Sequence, residues 1–254
     1  MYIDYKKNHK KIEFFRDMSE NIEKKRRPRR TKVTLERDVL SAVASLIEEV
    51  GFANVTLTGV AQRAQIEATV FYRRYANLEE LFDQYTHKYD YWLGNLAEMM
   101  PSDLNEEDSF KWIMRNLIIA LYKNRGMQQL LIWELSDDNH VTRRTTNLRE
   151  LINTPLIRLM EYSFKDSDID MNVITALMIS GIYYLVLHKN RSKFCDVDFS
   201  TKKGRERLEE AVGQLSGIVF GELKRQRERL EIANKLRAEG VSEDIIQRCL
   251  NISE

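Results

Sequence analysis

Glycine, proline and cysteine are all scarce in this chain, at ten, three and two among 254 residues. With so few helix breakers and 31% charged residues, the chain reads as a soluble helical protein, long enough for a sizeable core and for two domains. Cys195 and Cys249 lie far apart and lack metal-ligand spacing, which excludes a disulfide framework and leaves buried or idle thiols. No run approaches the roughly 18 apolar residues that span a bilayer, and the N-terminus has no apolar stretch of the secretory kind. No membrane contact and a cytoplasmic location are therefore expected. His87 and His188 have no Cys or carboxylate at metal-binding spacing, and no Ser sits in a glycine-elbow context. Neither catalysis, a metal nor a cofactor is expected. Glu134, Asp137, Asp138 and His140 are close in sequence and could hold a cation or polar ligand, but a solvated helix end is the better reading.

The net charge of +1 hides an uneven distribution. Lys24, Lys25, Arg26, Arg27, Arg29, Arg30 and Lys32 crowd one short segment, broken only by Pro28 and Thr31. Such a run can neutralise phosphates and release counterions, or enter a narrow minor groove; alone it would read as a solvated linker. Just after it, Val39, Val43, Leu46, Ile47 and Val50 mark one face of a helix that ends at Gly51. Thr56 to Tyr75, TLTGVAQRAQIEATVFYRRY, then reads as two short helices joined by a tight turn. Thr56 or Thr58 caps the first. Val60, Ala61 and Ala64 face inward, and Ile66 plugs the turn. The second, starting near Glu67, exposes Glu67, Ala68, Thr69, Tyr72 and Arg73 and turns Val70, Phe71 and Tyr75 inward. Leu78, Leu81, Phe82, Tyr85, Tyr89 and Trp92 predict a fourth helix.

This order resembles the N-terminal domain of the TetR/AcrR family of bacterial transcriptional regulators. The residues that carry the likeness are Gly51 and Phe52, Thr56, Val60 and Ala61, Ala64, then Phe71, Tyr72 and Tyr75, and Glu79, Glu80, Leu81 and Phe82. Two positions depart from it. Gln65 stands where the family usually has a turn Gly, so a bulkier residue must hold a backbone angle suited to Gly. Leu78 replaces a Lys that touches a DNA phosphate, so that grip must come from elsewhere. The resemblance implies that Tyr72 contacts a phosphate and that Glu67, Ala68, Thr69 and Arg73 lie nearest base edges, with Arg73 able to bind guanine bidentately.

After Trp92 no familiar chemical motif appears. Phe110, Ile113, Met114, Leu117, Ile118 and Leu121 form one helical stripe, and Met127, Leu130, Leu131 and Trp133 a shorter one. A helix from about Arg143 to Phe164 carries Pro155, which is expected to kink it. The resemblance implies that this second domain holds a small apolar or amphipathic ligand, for which Trp112, Tyr122, Met127, Trp133, Tyr162 and Met178 are the candidate lining residues; plain core is the competing reading. Residues from about Met171 to His188 are apolar nearly all round, so the helix must be covered on every side. Another long helix from about Gly204 places Leu208, Val212, Leu215, Val219 and Leu223 on one stripe, with Gly213, Gly217 and Gly221 beside it. Each Gly costs about 1 kcal/mol of helix stability relative to Ala, which close approach of another helix would justify. These two helices, with the Gly ridge, Tyr183 and Leu187, are expected to pair with their copies across a two-fold axis, as in the family. The competing reading packs the glycines within one subunit.

The expected architecture is all-α: a basic arm at 1–33, a three-helix helix-turn-helix DNA-binding domain at 34–93, a larger ligand-binding and dimerisation domain at 94–237, and a helical tail at 238–254, capped by Ser242 and folded on its own or the partner subunit. The expected function is a repressor that binds double-stranded DNA at a pseudo-palindromic operator as a homodimer and is released by a small ligand. The alternative is a DNA-binding regulator without a ligand, whose second domain serves dimerisation or a protein partner. A closed apolar cavity within residues 105–190 would discriminate between them.

Overall fold

The computed structural model describes residues 31–92, 94 and 98–250, with the backbone alone at 155, 156 and 159. The fold is all-α; among the described residues no strand forms beyond an isolated bridge between Phe194 and Val197. The chain divides into two compact units, Met1–Val39 and Leu40–Glu254. In the first, the described residues open helix α1 (Lys32–Val50), where Thr31 Oγ1 accepts the Thr34 N–H at 3.2 Å and satisfies a donor the helix leaves unpaired. The basic run with Arg26, Arg27, Arg29 and Arg30 lies outside the described residues.

In the second unit α1 ends as expected at Gly51, whose φ of +78° suits a residue without a side chain. Val43 and Ile47 are fully buried, but Val50 is exposed. The helix stops there, and Phe52 in the short 3-10 turn Phe52–Asn54 is buried instead. Helices α2 (Leu57–Ala64), α3 (Ala68–Tyr72) and α4 (Leu78–Thr86) follow. The expected continuous fourth helix breaks at Thr86 into a 3-10 turn, His87–Tyr89. There the Thr86 hydroxyl donates to the Asp83 carbonyl at 2.9 Å, a side-chain bond that competes with the helical ladder.

The body comprises α5 (Glu106–Lys123), α6 (Arg125–Ser136), α7 (His140–Phe164), α8 (Met171–His188), α9 (Lys202–Ala238) and α10 (Glu243–Leu250). Helix α5 packs against both α8 and α9. Helix α7 starts earlier than its apolar pattern indicates, because Asn139 and Thr142 form a reciprocal capping box. It continues as one helix through Pro155, which has no N–H to offer the preceding turn. Helix α9, of 37 residues and so about 55 Å long, buries Leu208, Val212, Ser216, Phe220 and Leu223. Leu215, expected on that stripe, is exposed, because the four-residue step from Val212 reaches Ser216. Its buried hydroxyl is satisfied by the Val212 carbonyl at 2.8 Å. Phe220 meets Phe110 of α5 and Phe164 of α7, with centroids 5.9 and 5.2 Å away. The tail helix α10 folds onto α9 of its own chain: Arg237 grips Glu243 with two bonds of 2.8 and 2.7 Å, and Ile246 is fully buried.

Helix α6 approaches the 3-10 turn at Tyr89 through Gly126. A Cβ at Gly126 would lie 2.1 Å from Tyr89 Oη and 2.8 Å from Tyr85 Oη. Those phenols are 3.1 Å apart on buried rings, so they cannot swing aside. Gly126→Ala is expected to lower unfolding free energy by about 1–3 kcal/mol, the usual cost of overpacking, and Tyr89→Phe in the same chain to recover part of it. Urea denaturation reads both, and an unchanged midpoint for Gly126→Ala would contradict this packing.

Candidate nucleic-acid interface and ligand cavity

Helices α2 and α3 form the helix-turn-helix. Thr56 caps α2, its Oγ1 accepting the Gly59 N–H at 3.1 Å, whereas Thr58 lies exposed within the helix. Val60, Ala61 and Ala64 are buried. Gln65 adopts the left-handed conformation, φ 54° and ψ 52°, and the Ile66 N–H returns to the Ala61 carbonyl at 2.9 Å. A non-glycine residue thus holds the turn that a Gly would hold more cheaply. Arg63 anchors α2 to α1 through a two-pronged contact with Glu49, one prong at 2.8 Å, plus a 2.6 Å bond to Ser45.

Helix α3 is short. Phe71 and Tyr75 are each 1% exposed and fix its inner side. Glu67, Ala68, Thr69, Tyr72 and Arg73 all lie on the exposed surface, with Tyr72 set edge-on against Phe71 at 5.7 Å. Glu67 stands at the N-cap position without capping the backbone; its carboxylate accepts from the Thr69 hydroxyl at 3.4 Å. At the start of α4, Asn77 accepts the Glu80 N–H at 2.9 Å while Glu80 accepts the Ala76 N–H at 2.6 Å, so this cap is built wholly from side chains.

The body contains a cavity of about 510 Å³ between α5, α7 and α8. Its apolar walls include Phe110, Met114, Leu117, Ile157 and Ile179, and its polar positions include Glu150, Asn153, Asn172, Thr175 and Tyr183. None of the six residues singled out from sequence as ligand contacts lines it. Trp133 instead stacks on Phe52, centroids 4.4 Å apart, and meets Phe82 edge-on at 5.5 Å, joining α6 to the helix-turn-helix side of the unit. Met127 and Met178 are buried core. Tyr122 donates to the Phe199 carbonyl at 2.8 Å, and burial pushes its phenol up to about 12. Trp112 is half-buried beside the lining stripe, and Tyr162 is 69% exposed under Lys165. Size and aromaticity directed attention to these residues. The cavity is lined instead by polar residues interrupting apolar stripes: Asn172, Thr175 or Ala176, Ile179 and Tyr183 share one face of α8, as Glu150, Asn153, Ile157 and Met160 share one face of α7.

Tyr183, expected at a subunit contact, therefore faces the cavity; burial raises its pKa, with Arg149 opposing the shift. Leu187 is half-buried. Helix α8, expected to be covered all round, buries Met171, Met178, Ile182 and Val186 but leaves Val173, Leu177 and Tyr184 exposed. It spans 18 residues with mean hydropathy 1.5, long and apolar enough by length and composition to cross a membrane, contrary to the sequence reading. Its buried side packs against α5, α6 and α7. On α9, a Cβ at Gly213 would meet nothing within 4 Å, and at Gly217 only Glu107 and Lys111 side-chain atoms at 3.6 Å or more. No helix of the described chain approaches this ridge closely enough to require glycine.

The acidic segment after α6 is dispersed into separate pairs. Glu134 binds Arg149 at 2.8 and 2.6 Å and accepts from Thr145 at 2.7 Å, Asp138 pairs with Arg143, and His140 with Glu79 at 2.6 Å. Among the described residues no group of side chains suits a metal ion. Both cysteines are exposed and unpaired, so the reading of buried thiols fails and that of idle ones is left.

One interhelical contact escaped sequence reasoning. Arg144, in the second turn of α7, reaches Asp83 at 2.6 Å, Asp90 at 3.0 and 3.1 Å, and the Thr86 hydroxyl at 2.8 Å. It clamps α7 to α4 and its 3-10 extension. No local pattern marks it, since its partners lie 54 to 61 positions away.

A short exposed helix set by a tight left-handed turn against a buried partner helix, followed by a helical body with a partly open apolar cavity, is the arrangement of a DNA-reading helix-turn-helix with a second domain. Residues 39–85 match the family model described as bacterial regulatory proteins, tetR family. That match covers the helix-turn-helix and its flanking helices, so this part of the chain is similar to the DNA-binding domain of that family. No curated protein matches the chain. Among solved structures it resembles Salmonella enterica GusR (11% identity, covering 74% of this chain and 96% of that one, TM-score 0.54). It also resembles the fatty acid degradation regulator FadR of Bacillus halodurans (16%, 71% and 96%, 0.52). A third is a TetR family regulator from Marinobacter aquaeolei VT8 (14%, 71% and 94%, 0.52). At these identities the likeness is one of fold.

Proposed function

We propose that this protein is a cytoplasmic repressor that binds a pseudo-palindromic operator as a homodimer and leaves it when a small apolar or amphipathic ligand occupies the cavity. The observation that carries the reading is the double role of α7. One stretch of this helix lines the cavity at Glu150, Asn153, Ile157 and Met160, while Arg144, under two turns earlier, grips α4. A ligand that displaces α7 therefore pulls on the helix that follows the recognition helix. The cavity, apolar in most of its lining although open to solvent at Glu150 and so not the closed one expected, favours this reading over a regulator whose body serves only assembly.

The dimer is supported by the exposed apolar surface on α8 and α9, where Leu177 is 66% and Ile218 64% exposed, and by the glycine ridge beside Ile218. In this reading two recognition helices meet half-sites about one helical turn apart, roughly 34–36 Å. Tyr72 holds a phosphate, Arg73 reads a base edge, and the basic run at Arg26, Arg27, Arg29 and Arg30 adds phosphate contacts in place of the Lys missing at Leu78.

The test uses an operator selected from random duplexes. The wild-type protein is expected to sediment as a dimer and to select a near-palindrome. Leu177→Glu with Ile218→Glu is expected to be monomeric and to bind that operator at least tenfold more weakly, about 1.4 kcal/mol or more. A surviving dimer, or selection of a single asymmetric half-site, would sink the proposal.

A further inference from the structure

The cavity's charge points to a class of ligand, an inference that rests on the ligand-responsive reading above. We infer that the cavity selects an apolar molecule bearing a single positive charge, an alkyl- or arylammonium, with Glu150 as the residue that holds the charge.

Among the described residues, Glu150 is the one carboxylate in the lining, and no Lys, Arg or His lines the cavity. Its carboxylate makes no hydrogen bond or salt bridge among the described residues, although its charge is felt by Arg149 and Tyr183. The neighbouring charges do not supply a hidden cation. Arg149, next in the chain, is committed to Glu134 through two bonds of 2.8 and 2.6 Å on side chains only 16% and 7% exposed. Glu134, Arg149 and Glu150 together therefore leave one uncompensated negative charge at this end of the cavity. Asn172, also in the lining, already donates to Glu161 of α7, which places a second carboxylate near the cavity wall.

Burial grades along the cavity in the sense an amphiphile requires. Glu150 is exposed, so its end meets solvent, while Phe110, Ile113, Met114 and Leu117 on α5 are almost wholly buried. A cationic head at Glu150 keeps part of its hydration while the apolar remainder is enclosed, which avoids the large cost of burying an unpaired charge. The Tyr183 hydroxyl, in the same lining, can accept from an ammonium N–H. A carboxylate or phosphate head would face Glu150 with no cation among the described lining residues to neutralise it, Arg149 being committed to Glu134.

Three probes of equal chain length separate charge from apolar filling: decylammonium, decanol and decanoate, each titrated below micellar concentration at neutral pH into the full-length protein by calorimetry. Decylammonium is expected to bind most tightly and decanoate most weakly. Glu150→Gln should weaken decylammonium about fivefold, as suits a partly solvated ion pair, while changing decanol less than twofold. Ala176→Trp, which fills the cavity, should remove binding of all three. If decanol and decanoate bind as tightly as decylammonium, or Glu150→Gln affects every probe alike, the charge assignment is overturned and the cavity reading stands. If none binds, or binding persists in Ala176→Trp, the cavity reading fails and this inference with it.

Discussion

Tyr72→Ala combined with Arg73→Ala is expected to abolish operator recognition while leaving fold and assembly intact. Neither side chain supports the core. Tyr72 is 60% exposed and Arg73 is exposed at the end of α3, whereas Phe71 and Tyr75, each 1% exposed, anchor the helix from its other side. A bidentate arginine contact with guanine discriminates by about 1–3 kcal/mol, and a phosphate hydrogen bond adds about 1 kcal/mol. Two half-sites double the loss in a dimer, so affinity for the selected operator should fall at least a hundredfold, to the level of random duplex. Fluorescence anisotropy measures this, with sedimentation and helical circular dichroism unchanged as controls. Tyr72→Phe, which removes only the hydroxyl, should lose much less. Unchanged operator affinity in the double variant would remove α3 from the interface.

Arg144→Met is expected to disconnect ligand from DNA. The guanidinium bonds Asp83, Asp90 and Thr86 at once, and the same helix lines the cavity from Glu150 to Met160. Methionine keeps much of the apolar stem but none of the donors. Among the described residues Asp83 and Asp90 then retain only His87, at 3.7 and 2.9 Å, and stability should drop by about 1–3 kcal/mol. The diagnostic quantity is the ratio of operator dissociation constants with and without saturating effector. Allosteric couplings of about 1–3 kcal/mol give ratios of about 5 to 150, and in Arg144→Met the ratio should approach one while effector affinity in the absence of DNA persists. A ratio equal to that of the wild type would show that coupling runs elsewhere, for instance through the Phe52, Phe82 and Trp133 stack.

The helix-turn-helix was legible because its determinants are local. A cap at Thr56, small residues at Ala61 and Ala64 and aromatic residues at Phe71 and Tyr75 act within about twenty residues, and each occupies the expected place. The left-handed angle at Gln65 was legible too, because the turn demands it whatever residue stands there. The cavity was not. Periodicity indicates which side of a helix is apolar, but not whether the facing helices fill the space between them, so large aromatic residues drew attention that the polar interruptions Glu150, Asn153 and Asn172 merited. Tyr183 was assigned outward for the same reason: on a helix apolar nearly all round, hydrophobicity does not distinguish the face toward a cavity from the face toward solvent.

Sequence alone determined the helical class, the helix-turn-helix motif and some helix ends, such as those at Gly51 and Thr56, since these follow from capping, breakers and 3.6-residue periodicity. Tertiary structure alone decided which of several apolar faces closes a core, which borders a cavity and which is left exposed. It alone also brought Arg144 onto Asp83 and Asp90, because ion pairs between residues more than fifty positions apart exist only once helices have packed.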